Sequence, residues 1–166
     1  MENSWKKNET AFAAFVEQVG RWRAEGEQIV FCHGCFDPLH VGHLRHFTAA
    51  RKFGSRLVVT VTPDRYVNKG PGRPVFSEEQ RLEMVLGLRV VDAAAINLWD
   101  SAVETIRQVR PHYFAKGADY RDRARCNPNF FREEHEIIAT GGKVVFTEEA
   151  SFSATELIRC LTNQST

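Results

Sequence analysis

The chain has 166 residues, 43% of them hydrophobic and 26% charged, and carries a formal net charge of +1. That balance predicts one globular domain with a packed core, and it excludes both a disordered chain and a protein that grips nucleic acid by bulk basic charge. No apolar run is long enough to cross a bilayer, and the start MENSWKKNET has no apolar h-region, so a soluble, cytoplasmic protein without a membrane partner is expected.

The first element is a helix over 8–24, where Phe12, Phe15, Val16, Val19 and Trp22 recur at helical spacing and define one buried face. A β-branched apolar run, Gln28 to His33, predicts the first strand; Asp37 and Pro38 then read as N-cap and first-turn proline of a helix reaching about Phe53. Arg56 to Thr62 (RLVVTVT) predicts a second strand, followed by the breaker-rich loop NKGPGRP and a helix through Leu88 opened by the capping box Ser77-x-x-Gln80. A third strand is expected at Ala93–Asn97, a helix near Ser101–Val109, a fourth strand at His112–Lys116, a helix from Pro128 to Thr140 ending at Gly141-Gly142, and a fifth strand at Lys143–Thr147. Ser153-x-x-Glu156 is a further capping box that opens a last helix.

Short apolar strands alternating with helices specify an α/β class: a Rossmann-like, five-stranded parallel sheet with right-handed crossovers and helices on both faces. The expected organisation is a single domain over 1–166, with an N-terminal packing helix in 1–27 and a core in 28–160.

Ligands of open parallel sheets bind beyond the carboxyl ends of the strands, so the segments after each strand are where chemistry is sought. After the first strand come Gly34, Cys35, Phe36, Asp37, His40, Gly42 and His43; after the second, Asp64, Lys69, Gly70 and Arg73; after the fourth, Lys116, Gly117 and Asp119; after the fifth, Ser153 and Thr155. One sheet edge thus gathers imidazoles, lysines and helix N-termini, a set that suits a polyphosphate. His40 and His43 lie one turn apart and can both donate to phosphate oxygens, while Gly42 leaves room for the nucleotide. Lys69 sits in a loop shaped like a flap, although a solvated turn lysine has the same local signature. Lys116 ends an apolar strand and needs a counter-charge, either Asp119 or a bound anion. Arg81 reads equally as a ligand contact or as a surface salt bridge to Glu78.

Cys32 and Cys35 form a C-x-x-C, but Cys126 and Cys160 are not spaced as a second zinc pair, so free thiols are expected rather than a metal or redox centre. Neither G-x-G-x-x-G nor G-x-x-x-x-G-K-[ST] occurs, which removes dinucleotide oxidoreductases and P-loop enzymes.

The run Gly34, Phe36, Asp37, His40, Gly42, His43 resembles the G-x-F-D-x-x-H-x-G-H signature of the cytidylyltransferase-like nucleotidyltransferase superfamily. The lysine loop with RPVFSEEQR, then KGADY, then FSATELI follow in the order of that family, so the likeness spans about Gln28 to Cys160. Within the superfamily the chain is most similar to the adenylyltransferase domain of ADP-heptose synthesis enzymes, which attach AMP to a heptose 1-phosphate. Three positions depart from that group: His33 stands where asparagine is usual, Ala154 replaces a hydroxyl residue, and the segment from Tyr120 to Gly141 is longer. The glycerol-3-phosphate cytidylyltransferases carry an arginine that is absent from the stretch Glu148 to Thr155 here, whereas KGPGRPVF is also similar to phosphoethanolamine cytidylyltransferases.

The resemblance implies that His40, His43, Lys69 and Lys116 act in catalysis. It implies nucleotide contacts from Gly34, Cys35, Phe36, Asp37, Gly42, Arg81, Gly117, Asp119, Ser153 and Thr155. Mg²⁺ would be carried on the nucleotide phosphates with no protein metal ligand, and the enzyme would be a homodimer. The expected partners are a nucleoside triphosphate and a phosphorylated small molecule. The two other readings to be weighed are a CTP-dependent enzyme for a phospho-alcohol or phosphonate and a nucleotide-binding module without turnover.

Overall fold

The computed structural model describes residues 4–118, 120–121 and 128–148. In chain order these form helix α1 (Ser4–Ala24), strand β1 (Ile29–Gly34), α2 (Val41–Ala50), β2 (Arg56–Val61), α3 (Glu78–Leu86), β3 (Ala93–Ile96), α4 (Val103–Val109), β4 (Tyr113–Gly117), α5 (Pro128–Ala139) and β5 (Lys143–Thr147). The five strands form one sheet, every neighbouring pair parallel, in the order β3-β2-β1-β4-β5. The predicted α/β class and five-stranded sheet are both present, and the strands lie within one residue of their expected limits.

Alternation along the strands builds two cores, because successive side chains leave opposite faces of a sheet. Ile29 and Phe31 of β1, with Val58 and Phe114, meet Phe12, Phe15 and Val19 of α1, Ile106 and Val109 of α4, and Ile137 of α5. Val30 and Cys32, with Leu57, Val59, Val61 and Ala115, meet Phe47 and Ala50 of α2 and Val85 of α3. Helices therefore cover both faces, and each fully buried Phe, Leu or Ile contributes about 1.5–3 kcal/mol of transfer free energy. No helix among the described residues is long and apolar enough to cross a membrane.

The strand order reverses between β1 and β4, and the pairing there shows why a cleft opens. Along β2, β1 stays paired from Ile29 to Gly34, but along β4 it pairs only at Val30 and Phe31. Beyond that point the carboxyl ends of β1 and β4 separate, leaving a crevice at the switch point of the sheet.

Two helix starts differ from expectation by more than two residues. Helix α1 begins at Ser4, four residues before the expected start at residue 8. Helix α2 begins at Val41, so Asp37 is not its N-cap and Pro38 is not in its first turn. The N-cap is His40, whose backbone is extended at φ −144° and ψ 172°. The reason is that the Asp37 carboxylate is taken by a loop from another part of the chain, described below. The capping box at Ser77 forms as read: Ser77 Oγ accepts from Gln80 N at 3.3 Å and Gln80 Oε1 accepts from Ser77 N at 3.0 Å. The expected last helix at Ser153 lies outside the described residues.

Candidate active site

The turn from β1 to α2 is built around a strained residue. Phe36 has a left-handed backbone, φ 52°, and its ring turns back over Gly34, where a Cβ would lie 2.9 Å from Phe36 Cζ. A side chain at 34 would expel the ring, so glycine is required there. The ring is then held edge-on by His43, with centroids 5.2 Å apart, and by Phe47 at 5.1 Å. Strain of this kind costs about 1–3 kcal/mol and persists where the surroundings over-determine it.

Asp37, fully buried, fastens this turn to the Lys69 loop. Its carboxylate accepts from Arg73 Nε at 2.7 Å, Val75 N at 2.9 Å and Phe76 N at 3.1 Å, and Arg73 also donates to the Asp37 carbonyl. Burial pushes this carboxyl up, but the two amides and the guanidinium outweigh it and hold the group below its usual range. Asp37 reaches the site as a clasp rather than as a helix cap.

At the start of α2, His40 N donates to His43 Nδ1 at 3.3 Å, and the two imidazoles stack with centroids 3.7 Å apart. Because Nδ1 accepts, the proton of a neutral His43 sits on Nε2, where it can donate. Burial, then the charges of His40, Lys69 and His46, hold His43 down to about 3. Burial and Lys69 also lower His40. The lysine of the flap is therefore electrostatically near both rings, and Gly42, between them, is only partly exposed.

Lys69 is exposed on a loop in which Gly70 and Gly72 have φ of 90° and 72°. The loop hangs between two clasps. One is Asp37–Arg73; the other is Arg81, fully buried, which donates to Phe76 O at 3.0 Å, Cys35 O at 2.6 Å and Asp64 Oδ1 at 2.5 Å. This corrects the expectation of a surface salt bridge to Glu78, whose carboxylate instead accepts from Asp64 N at 2.7 Å and Asn8 Nδ2 at 2.9 Å. Arg81 is an internal tie that shapes Cys35 and the flap.

The crevice itself is a cleft of about 340 Å³. His33 and Gly34 line it from β1 and Cys35 from the turn after it, Thr62, Tyr66, Val67, Asn68 and Lys69 from the segment after β2, Asp100 from beyond β3, and Lys116, Tyr120, Asn129 and Glu133 from β4 and the residues after it. The fold thus brings Lys69 and Lys116 into one space with Gly34 and Cys35; Gly117, partly exposed, ends β4 directly after Lys116. Asp119, Ser153 and Thr155 lie outside the described residues.

Lys116 has a counter-charge that the sequence reading did not name. Its Nζ is 2.9 Å from Glu133 Oε2, both side chains nearly buried, and it lies over the rings of Phe114 and Tyr120 at 4.3 and 4.9 Å. Glu133 was missed in the sequence, although a signal existed: Phe130, Glu133 and Ile137 are the buried residues of α5, so a carboxylate stands at i+3 and i+7 spacing on an apolar face. Burial raises this carboxyl, yet Lys116, His33 and the Ala102 amide together hold it below its usual value. His33 is also in the cleft, bonded through Nδ1 to Thr60 Oγ1 at 2.9 Å and kept neutral by burial, down to about 4.

Cys32 and Cys35 are free thiols. Burial pushes Cys32 up to about 12 and raises Cys35, so neither offers a reactive thiolate at neutral pH. Among the described residues no group of three or more His, Cys, Asp or Glu side chains is placed to hold a metal ion.

The chain matches the family model described as cytidylyltransferase-like over residues 31–159. It is 44% identical to the bifunctional protein HldE of Magnetococcus marinus over 64% of this chain and 22% of that protein, and 40% identical to HldE of Vibrio atlanticus over 90% of this chain and 31% of that protein. The chain therefore spans less than a third of the length of these curated relatives. Among solved structures it superposes on a lipopolysaccharide core biosynthesis protein from Thermoplasma volcanium with a TM-score of 0.63 and 27% identity, over 75% of this chain and 99% of that one. Thermotoga maritima TmcAL bound with alpha-thio ATP shares the fold at a TM-score of 0.57 and 14% identity, over 83% of this chain and 50% of that one. With the signature turn, the two lysines and the switch-point cleft in place, this match over most of the chain assigns it: the chain belongs to the cytidylyltransferase-like family of nucleotidyltransferases.

Proposed function

We propose that this chain transfers AMP from ATP to a sugar 1-phosphate of heptose type and releases pyrophosphate. The observation that carries the reading is the convergence of Lys69, Lys116 and the Gly34–Cys35 turn on one cleft, with Lys69 close enough to act on the stacked His40 and His43. The similarity to HldE proteins supports the choice of acceptor and nucleotide.

In this reaction an oxygen of the acceptor phosphate attacks the α-phosphorus in line, a new P–O bond forms, and the bond to the β-phosphate oxygen breaks so that pyrophosphate leaves. The acceptor is already anionic at neutral pH, so the chemistry needs no general base. The protein's tasks are to hold two anions together and to offset charge growing on the equatorial and leaving oxygens. A neutral His43 donates from Nε2, His40 and the amides at the start of α2 face the triphosphate, and the Lys69 flap closes over it. Mg²⁺ would reside on phosphate oxygens and water, a mode that fits the lack of a metal-holding cluster among the described residues, and would supply further charge neutralisation.

The test is a grid of four nucleoside triphosphates against phosphorylated acceptors, read by pyrophosphate release. Turnover with ATP and a sugar 1-phosphate is expected; a preference for CTP with a phospho-alcohol or phosphonate would replace the assignment by a cytidylyl one, and no turnover with any pair would leave a binding module.

A further inference from the structure

We infer that Glu133 is a positioning and specificity-determining residue: by pairing with Lys116 it reserves the space around that lysine for the neutral, hydroxyl-bearing part of the acceptor and leaves the phosphates to the unpaired charge of the flap. The inference rests on the proposed sugar phosphate acceptor.

The geometry is that of a compensated pair built into the wall. Glu133 Oε2 holds Lys116 Nζ at 2.9 Å, with the two side chains 5% and 6% exposed. Glu133 Oε1 accepts from Ala102 N at 3.0 Å, which ties the carboxylate to the start of α4 and fixes it in place. The ammonium is further held against Phe114 and Tyr120. Lys116 is thus immobilised, and its charge is paired inside the protein, although His33 and His46 still feel it.

This matters for what can bind. A phosphate oxygen accepting from Lys116 would come within a few ångströms of the Glu133 carboxylate, so repulsion takes back much of the attraction. A hydroxyl has no such conflict, because it can accept from the ammonium and donate to the carboxylate at once. The neighbouring wall adds no unpaired cation: Asp100 stands 3.9 Å from Arg132, and the His33 ring is neutral. Lys69, by contrast, is exposed on its flap, and its charge is felt by the His40 and His43 rings at the start of α2.

The experiment compares the wild type, Glu133→Gln and the double variant Lys116→Met/Glu133→Gln, with pyrophosphate and Mg²⁺ as the probe in calorimetry. Glu133→Gln uncovers one positive charge and is expected to bind pyrophosphate about tenfold more tightly. The double variant removes both charges, keeps the fold because a buried pair can be exchanged for neutral groups, and is expected to bind pyrophosphate within about twofold of the wild type. In the same variant, kcat/KM for the acceptor identified by the grid should fall about 100-fold while KM for ATP changes less than about threefold. A tenfold loss of pyrophosphate affinity in the double variant would show that Lys116 is a phosphate clamp and would overturn the inference; if Glu133→Gln alone fails to fold, the double variant still decides. Absence of turnover in the wild type would refute the adenylyl reading instead, and the pyrophosphate comparison would stand apart from it.

Discussion

His43 accepts the His40 amide hydrogen on Nδ1, 3.3 Å away, and that one bond sets which nitrogen of the second imidazole can face a phosphate. It also sets the expected pH behaviour. With His43 held down to about 3, its ring is neutral across about pH 5 to 8, so its titration leaves no limb in the pH dependence of kcat there. His43→Ala should lower kcat about 10²–10³-fold while the far-UV spectrum stays native, since the lost donor acts on transition-state charge. An acid limb near neutral pH that disappears in His43→Ala would show instead that the charged form works.

The clasp between Asp37 and the flap makes a stability prediction. Asp37→Ala leaves Arg73, a nearly buried guanidinium, without its carboxylate and strips Val75 and Phe76 of their acceptor. Breaking one partner of a buried pair costs about 3–5 kcal/mol. Urea unfolding should therefore show a loss of that order, and limited proteolysis should cut the Lys69 loop faster than in the wild type.

Arg81→Lys tests the second clasp. The guanidinium serves the carbonyls of Phe76 and Cys35 and the carboxylate of Asp64 in different directions. A lysine keeps the charge but cannot reproduce that fork, so at least one half-buried acceptor loses its donor, at about 1 kcal/mol. Because Cys35 O is among them, KM for the triphosphate should rise along with the loss of stability; a thermal shift with unchanged KM would separate Arg81 from the turn.

Lys69→Ala should behave in the opposite way. The side chain is exposed, so unfolding free energy should change by less than about 0.5 kcal/mol, whereas kcat/KM should fall about 10²-fold if the flap lysine meets the reacting phosphates. Unchanged kinetics would return Lys69 to the status of a solvated turn residue.

What was legible in the sequence was local. Short β-branched runs, the Ser77 capping box and the glycines after α5 mark their elements without help from the rest of the chain, and the sheet-edge rule then collects Gly34, His40, His43, Lys69 and Lys116. What was not legible depends on partners far along the chain. Asp37-Pro38 has the local look of a helix start, but its carboxylate finds Arg73, 36 residues on, because the fold lays the flap against the β1–α2 turn. Arg81 has a carboxylate three residues before it, yet the helix buries its side chain under the turn and sends Glu78 to Asp64 and Asn8. Glu133 lay between readings: its place on the apolar stripe of α5 announces a buried partner, and only the sheet topology says that the partner is Lys116.

The buried imidazoles give the last prediction. His33 and His46 are held down to about 4 and His43 to about 3, in each case first by burial, with Lys116 adding to the effect on His46. In the unfolded chain these groups protonate near the ordinary histidine value of about 6.5, so below that pH the unfolded state binds protons that the native state refuses. Stability from these groups is therefore complete above about pH 6.5 and is lost as pH falls toward 4. The thermal midpoint should drop by more than about 5 °C between pH 7 and pH 5. His46→Phe, which keeps a ring in the space between Cys32 and Thr147 but cannot take a proton, should flatten that slope. An equal slope in the variant would mean that His46 does not carry the acid sensitivity and that it belongs to His33 and His43.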